Sequence, residues 1–271
     1  MDYQRIIDSH VHSDNSPDGH HSVTFMCETA VSKNLRAIAF TDHCEIDVFY
    51  EDGYDRRIRQ SYFETAKIKN AFLGSLLVLQ GIELAQPHYN SALADTILSA
   101  QRYDTVIGSV HNLRGEKDFY YIKSFDGYDI PAVFNEYLDE LLAMTDWGNF
   151  DVLAHMTYPF RYFFNVAGID EDINNYKAKT DELLKLLAEK DKAIEINTGG
   201  LRQKINKTSP ELNVVKRFKQ LGGKYISVGS DAHYAEQIGY GIATAYETAL
   251  EAGFSSVVMF QNRTPMEISI G

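Results

Sequence analysis

The stretch Arg5-Ile6-Ile7-Asp8-Ser9-His10-Val11-His12 sets the interpretation of the whole sequence. It begins with a short apolar, β-branched run at residues 5–8, which is typical of a buried β-strand. Two histidines follow at positions i and i+2, and residues with this spacing on an extended chain point to the same side. His10 and His12 can therefore direct two imidazoles at one place.

The pattern of a short apolar run followed by a helical segment repeats along the chain. Six further runs have strand character: residues 37–40, 77–82, 105–108, 151–154, 193–196 and 225–228. Apolar stripes with helical spacing lie between them, at Val133, Phe134, Tyr137, Leu138, Leu141 and Leu142, and at Tyr176, Leu183, Leu184 and Leu187. Ser209-Pro210-Glu211 is predicted to begin a helix that Gly222-Gly223 ends. This repetition predicts an α/β fold with a parallel sheet or barrel.

Possible metal ligands stand at nearly every predicted strand end. They are His10 and His12, Asp42 and His43, Glu83, His111, His155, and Asp231 and His233, with Glu195 inside the remaining strand. Six of the nine histidines occupy these positions. The C-terminal ends of parallel strands in a barrel meet on one face, where active sites are built. The strand ends therefore predict a single site.

The types of ligand narrow the chemistry of that site. Imidazole and carboxylate without thiolate suit zinc, iron or manganese better than calcium or magnesium. A tetrahedral zinc needs about four ligands including water, so the number of candidates points to two or three ions. Cys27 and Cys44 form no CxxC pair and are expected to be buried free thiols.

Length and charge exclude several classes of protein. The 271 residues, without a Pro/Ser-rich linker or a low-complexity tract, are expected to form a single domain spanning 1–271. The formal net charge of −12 disfavours extended nucleic acid and anionic membranes as partners. The sequence has neither an apolar run of about 18 residues nor a signal-peptide core, so we expect a cytoplasmic protein. A small anionic substrate stays compatible with this composition.

Several motifs resemble those of the PHP family, named for polymerase and histidinol phosphatase. The motifs, in that family's order, are His10-Val-His12, Asp18-Gly19, Thr41-Asp42-His43, Gly81-Ile82-Glu83, Ser109-Val110-His111, Ala154-His155, Glu195-Ile196-Asn197-Thr198 and Ser230-Asp231-Ala232-His233. Three further segments are similar to the stand-alone histidinol-phosphate phosphatases of this family: residues 195–202, Pro159-Phe160-Arg161 and Arg263-Thr264-Pro265.

The resemblance implies a distorted seven-stranded (β/α)7 TIM-like barrel with a trinuclear centre of zinc, iron or manganese. Carried over by position, the first ion is held by His10, His12, Glu83 and Asp231. The second is held by Glu83, His111 and His155, and the third by Asp18, His43 and His233. Asp18 stands where some family members have histidine. The carboxylate makes the third ligand set slightly harder, which shifts its preference among metal ions.

The resemblance also implies a reaction, the hydrolysis of L-histidinol phosphate to L-histidinol and phosphate in histidine biosynthesis. A metal-bridging hydroxide attacks phosphorus, and Glu83, Asp231 and His233 act through the metals and this hydroxide. Arg161 and Arg202 follow predicted strands and are the candidate phosphate ligands. Asp42 is a candidate for orienting His43 through a hydrogen bond, although it could equally cap the turn after its strand. Glu195 is a second candidate for supporting the ligands in this way.

Two other functions stay open at this point. A PHP-type phosphoesterase could act on nucleotides or short oligonucleotides, because the same centre handles either ester. The chain could also be a non-catalytic metal-binding module. The favoured partner is a small-molecule phosphate monoester, and the sequence predicts no particular oligomeric state.

Overall fold

The computed structural model of the protein describes residues 6–271, so Arg5 of the first predicted strand lies outside the described residues. The β-strands of this part of the chain are β1 (Ile7–Val11), β2 (Ala37–Phe40), β3 (His43–Glu45), β4 (Leu77–Ala85), β5 (Thr105–Ser109), β6 (Val152–Leu153), β7 (Ala193–Asn197), β8 (Ile226–Gly229), β9 (Ser256–Gln261) and β10 (Thr264–Ser269). The α-helices are α1 (Val23–Ser32), α2 (Tyr54–Ala71), α3 (Ser91–Ala100), α4 (Ile130–Trp147), α5 (Tyr158–Ala167), α6 (Lys177–Glu189), α7 (Leu212–Gln220) and α8 (Ile242–Glu251).

Seven parallel strands form a nearly closed barrel. They follow the order β1-β2-β4-β5-β6-β7-β8, and the short strand β3 pairs with β4 beside this path. The ends of the barrel meet where Val11 and Ala232 form a parallel bridge, and the His12 N–H donates to the Ala232 carbonyl at 2.9 Å. The prediction of a distorted seven-stranded barrel is confirmed.

A buried carboxylate completes the seam between β1 and β8. Both oxygens of Asp8 accept hydrogen bonds, from the Ser230 N–H at 2.8 Å, the Ser230 hydroxyl at 2.5 Å and the Gly239 N–H at 2.8 Å. Because β8 ends at Gly229, the Ser230 N–H takes its partner from a side chain rather than from the strand ladder. The Asp8 side chain supplies that partner and fixes the chain as it enters the segment around Asp231.

Helices pack their apolar faces against the barrel, as the periodicity predicts. Phe134, Tyr137, Leu138 and Leu141 of α4 are fully buried and belong to the main core cluster. The α6 stripe is also confirmed, except that Tyr176 lies in a 3-10 turn before the helix. Cys27 and Cys44 are buried and free, as expected.

Two predicted strands run further than their apolar patterns indicate. β1 continues through His10 to Val11, and β4 continues through Glu83 to Ala85. His10 and Glu83 therefore lie within strands rather than after them. Glu83 pairs with His43 on one side and with Ile107 on the other, and the His10 carbonyl accepts from the Asp231 N–H at 2.9 Å, so polar side chains at the barrel mouth do not end these strands.

The predicted helix start at Ser209 is wrong. Helix α7 begins at Leu212, after Glu211 as its N-cap. Ser209 instead pairs through its backbone with Asn197 at 2.9 and 3.0 Å, and its hydroxyl lies 2.7 Å from that of Thr157. These tertiary contacts hold Ser209 at the end of β7. The helix does end before Gly222, whose φ of 99° is left-handed, as predicted.

Strand β3 and the antiparallel hairpin of β9 and β10 were not predicted. None of the helices in residues 6–271 is both long and apolar enough to cross a membrane.

Candidate metal centre

The side chains at the C-terminal face of the barrel converge on Glu83. Its fully buried carboxylate lies within 3.5 Å of ring nitrogens from five histidines. These are His43 and His155 at 2.9 Å, His111 at 3.2 Å, His10 at 3.3 Å and His12 at 3.5 Å. Each histidine comes from a different strand or strand end, except that His10 lies on β1 and His12 directly after it. Residues remote in sequence thus meet at one carboxylate, as the strand ends predict.

The three predicted ligand sets lie side by side around this carboxylate. In the first set, His12 Nε2 lies 3.5 Å and His10 Nε2 4.0 Å from Asp231 Oδ1, next to Glu83. In the second, His111 and His155 both face Glu83 Oε1.

The third set lies nearer the surface. His233 Nε2 lies 3.2 Å from Asp18 Oδ2 and 3.4 Å from His43 Nε2. The structure therefore brings all nine predicted ligands together, with His43 also reaching Glu83. Their ligation of metal stays a prediction.

Unpaired buried atoms at this centre fit a bound cation. In the described structure, His10 Nε2, His12 Nε2 and Glu83 Oε2 are buried and form no hydrogen bond. Unsatisfied buried lone pairs are costly, and native proteins rarely keep them without a purpose. Here they point toward one another across a gap with mixed nitrogen and oxygen donors. This donor set is the one that zinc, iron and manganese accept.

The charges of the cluster are coupled to one another through Glu83. Burial alone would raise the pKa of Glu83, but His10, His43 and His111 hold it well below its usual range. Burial lowers the pKa of His12 far below its usual value and also lowers the pKa of His155. Burial opposes protonation of His10, His43 and His111 as well, but the surrounding carboxylates raise the pKa of His10 and His111 well above its usual value and that of His43 to about 9. Metal ligation requires unprotonated ligand nitrogens, so bound metal would take the place of protons on these three rings.

Glu195 orients two elements of the centre. Its Oε1 accepts a hydrogen bond from His10 Nδ1 at 2.8 Å, and its Oε2 accepts from the His155 N–H at 3.0 Å. Asn197 Nδ2 donates to the same Oε2 at 3.0 Å. With its Nδ1 proton held by Glu195, His10 presents the bare Nε2 to the centre. This contact supports the orienting role predicted for Glu195.

Asp42 acts on His12 through a serine rather than on the His43 imidazole. Its carboxylate accepts hydrogen bonds from the hydroxyls of Ser13 and Ser16, both at 2.8 Å. Because the Ser16 hydroxyl donates to Asp42, its oxygen accepts from His12 Nδ1 at 3.1 Å. The same oxygen accepts from the His43 backbone N–H. The sequence did not single out Ser16, because nothing local distinguishes it from a turn serine.

We expect Ser16→Ala to weaken metal binding by roughly tenfold, because removing a hydrogen bond to a ligand imidazole has effects of this order. Without the hydroxyl, His12 loses the partner that fixes its tautomer. Metal titration of the purified variant measures the change, with the exposed Ser32→Ala on α1 as the control. Unchanged metal affinity in Ser16→Ala would contradict this role.

Glu45 on β3 orients His111. Its Oε1 accepts a hydrogen bond from His111 Nδ1 at 2.9 Å, and Gln86 Nε2 donates to Glu45 Oε2 at 3.0 Å. Gln86 Oε1 accepts in turn from the His111 backbone N–H at 3.2 Å. The missed strand β3 explains why sequence reasoning did not place Glu45 here, since it sets the Glu45 side chain beside β4.

The two candidate phosphate arginines both contact the Asp231 segment. Buried Arg161 lies over the Tyr158 ring at 5.0 Å, and its guanidinium reaches Asp231 Oδ2 at 3.4 Å. Arg202 donates to the carbonyls of Ser230 at 2.6 Å and Asp231 at 2.8 Å. Asp231 has a φ of 55°, a strained value for a residue other than glycine, which the Arg202 contacts help to maintain. Phosphate binding by both arginines stays a prediction.

An aromatic wall borders the centre on one side. The Tyr158 ring lies 4.9 Å from the ring centroids of both His111 and His155, and its hydroxyl donates to Asp118 Oδ1 at 3.1 Å. Burial raises the pKa of Asp118 to about 6. Burial and then the charges of Asp118 and Asp18 raise the pKa of the exposed Tyr121.

The barrel and its cluster define a class of protein: parallel α/β barrels with a histidine- and carboxylate-rich candidate metal centre at the C-terminal ends of the strands. The chain belongs to the PHP domain family, whose sequence model matches residues 8–199.

Curated relatives align with this chain over nearly its whole length. A protein from Clostridium acetobutylicum named "Probable histidinol-phosphatase" is 28% identical over 261 residues, which is 95% of this chain and 98% of the relative. A "Histidinol-phosphatase" from Lactococcus lactis subsp. lactis is 28% identical over 266 residues, 94% of each chain.

A solved structure has the same fold. It is the histidinol phosphate phosphatase of Lactococcus lactis subsp. lactis, crystallised in complex with zinc, L-histidinol and phosphate. The TM-score is 0.77 at 23% identity, with 97% of this chain and 99% of that chain covered.

Proposed function

We propose that this protein is a metal-dependent phosphomonoesterase that hydrolyses L-histidinol phosphate to L-histidinol and inorganic phosphate. The observation that carries the chemistry is the convergence of five imidazoles on the buried Glu83 carboxylate, beside buried nitrogen and oxygen atoms that form no hydrogen bond within residues 6–271. The substrate is supported by relatives that align over 94 to 95% of this chain and are named for that activity. The same alignment supports a single functional unit spanning 1–271.

The protein uses divalent metal, and we propose three ions of zinc, iron or manganese. His10, His12, Glu83 and Asp231 would hold the first, Glu83, His111 and His155 the second, and Asp18, His43 and His233 the third. Glu83 is the residue shared by the first two sets. Zinc bound to the related Lactococcus lactis enzyme supports this choice of metals.

When bound, such ions supply a hydroxide near neutral pH and neutralise charge on the phosphate. The chain's own residues prepare the site for them. Glu195 and the Ser16–Asp42 pair hold the protons on His10 and His12 at Nδ1, so that both Nε2 atoms face the centre. Arg161 places a permanent positive charge at the edge of the centre, where it would bind the oxygens of a terminal phosphate.

The proposed function is tested by phosphate release from a panel of substrates, with metal content measured in the same sample. The panel holds L-histidinol phosphate, nucleoside monophosphates, a nucleoside 3′,5′-bisphosphate and a dinucleotide. We expect strong preference for L-histidinol phosphate, and loss of activity on chelation that returns when zinc or manganese is added.

Two results would contradict the proposal. A preference for the nucleotides would keep the metal centre and replace the substrate with a nucleotide ester. A full complement of metal with no turnover of any ester would favour a metal-binding module.

A further inference from the structure

Asp118 is a half-buried carboxylate at the mouth of the centre, and only one of its two oxygens accepts hydrogen bonds from residues 6–271. Its Oδ1 accepts two hydrogen bonds, from the Tyr120 N–H at 2.8 Å and the Tyr158 hydroxyl at 3.1 Å. No hydrogen bond to Oδ2 and no ion pair with a lysine, arginine or histidine occurs among residues 6–271. The carboxylate is thus fixed in orientation while its second oxygen stays available.

The other carboxylates around this mouth already have nitrogen partners. They are Glu45, whose partner is His111 at 2.9 Å, Asp47, whose partner is Asn112 at 2.9 Å, and Asp18, whose partner is His233 at 3.2 Å. Partial burial of a carboxylate oxygen that no donor faces is unfavourable. Asp118 is therefore the carboxylate at the mouth that most needs an external cation.

The position of Asp118 relative to the centre is set by one tyrosine. The Tyr158 ring packs at a tilt against the rings of His111 and His155, while its hydroxyl end touches Asp118. Tyr162 donates its hydroxyl to that of Tyr158 at 2.8 Å, which leaves the Tyr158 proton directed at Asp118. A substrate whose phosphate occupies the centre would extend past the Tyr158 ring toward Asp118.

We propose that Asp118 binds the ammonium group of the substrate and selects phosphate monoesters that carry an amine beside the ester. This inference rests on the proposed function. In L-histidinol phosphate the ammonium is attached to the carbon next to the ester CH2, so it lies within a short distance of the phosphate. A charge-assisted hydrogen bond to Asp118 Oδ2 pairs the two opposite charges, and Tyr158 supplies an apolar wall beside them.

The test compares L-histidinol phosphate with its deamino analogue, in which hydrogen replaces the ammonium. The readout is the ratio of the two kcat/KM values. We expect Asp118→Asn to lower this ratio by about 10- to 100-fold, because a hydrogen bond between charged groups is lost. Tyr158→Phe, which frees Asp118 to rotate, lowers it by a smaller factor. Asp126→Asn, an exposed carboxylate of the same loop, is the matched control and keeps the wild-type ratio.

Calorimetry gives a second readout that does not depend on turnover. L-Histidinol should bind the metal-loaded wild type more tightly than its deamino analogue, and Asp118→Asn should remove the difference. An unchanged ratio in Asp118→Asn, including an equal loss on both substrates, would overturn the inference.

Failure of the proposed function has a different signature. In that case the metal-loaded wild type would hydrolyse neither substrate, and the calorimetric comparison would still decide the role of Asp118. Binding of L-histidinol that Asp118→Asn does not weaken would then overturn the inference.

Discussion

Glu83→Gln is expected to lower kcat/KM by roughly a thousandfold or more and to release most of the bound metal. The substitution keeps the shape of the side chain but removes the charge that five imidazoles face. Glutamine also presents an NH2 group to nitrogen lone pairs, and removing one member of a buried ionic cluster leaves the others uncompensated. Steady-state kinetics and metal analysis of the same preparation measure both effects.

The control for this variant is Glu247→Gln on the exposed surface of α8, which changes the same chemical group far from the barrel mouth. It should keep wild-type kinetics and metal content. Wild-type metal content and turnover in Glu83→Gln would show that Glu83 does not bridge the ions.

Local patterns in the sequence predict the barrel and the composition of its centre. Apolar, β-branched runs such as residues 37–40 and 105–108 are signals that a single strand carries by itself. The histidines at their ends could be assigned to one site because parallel strands share a direction. This reasoning needs no knowledge of which strands are neighbours, which is why it locates His43 and His155 equally well.

Contacts that depend on three-dimensional neighbours could not be predicted in the same way. Ser16 and Glu45 act on His12 and His111 across loops and strands, and their own sequence surroundings are ordinary. The β9–β10 hairpin was not predicted, and its second strand contains Pro265, a residue type that is disfavoured within strands. Proline is tolerated there since β10 pairs with β9 on one side and with no other strand of the described residues.

The turn of that hairpin did carry a signal that the sequence reading passed over. Asn262 and Arg263 have φ values of 50° and 61°, as a two-residue hairpin turn with left-handed residues requires. Asparagine is a common first residue of such turns. Arg263, which the family resemblance singled out, uses its Nε to pair with Asp151 at 2.5 Å.

Gly229→Ala is expected to destabilise the fold by about 3 kcal/mol and to lower metal affinity as well. Gly229 ends β8 at the point where the barrel closes, and a Cβ there would lie well inside van der Waals contact of Glu195 Oε1 and His10 Cβ. Neither neighbour can move freely, because Glu195 is bonded to His10 and to the His155 backbone. The strain would thus fall on the contact that aims His10 at the centre. For a chain of this size we expect the Tm to fall by about 5 to 10 °C.

Thermal unfolding and metal titration of Gly229→Ala test this prediction, with Gly271→Ala as the control. An added Cβ at Gly271 meets only Leu250 Cδ2 at 3.7 Å, which is ordinary contact, so its Tm should stay at the wild-type value. If the loss is local strain on His10, metal affinity in Gly229→Ala will fall even at temperatures where the protein is fully folded. A variant with wild-type Tm and metal affinity would mean that the seam between β1 and β8 has room for a methyl group, contrary to the packing of Gly229 against Glu195 and His10.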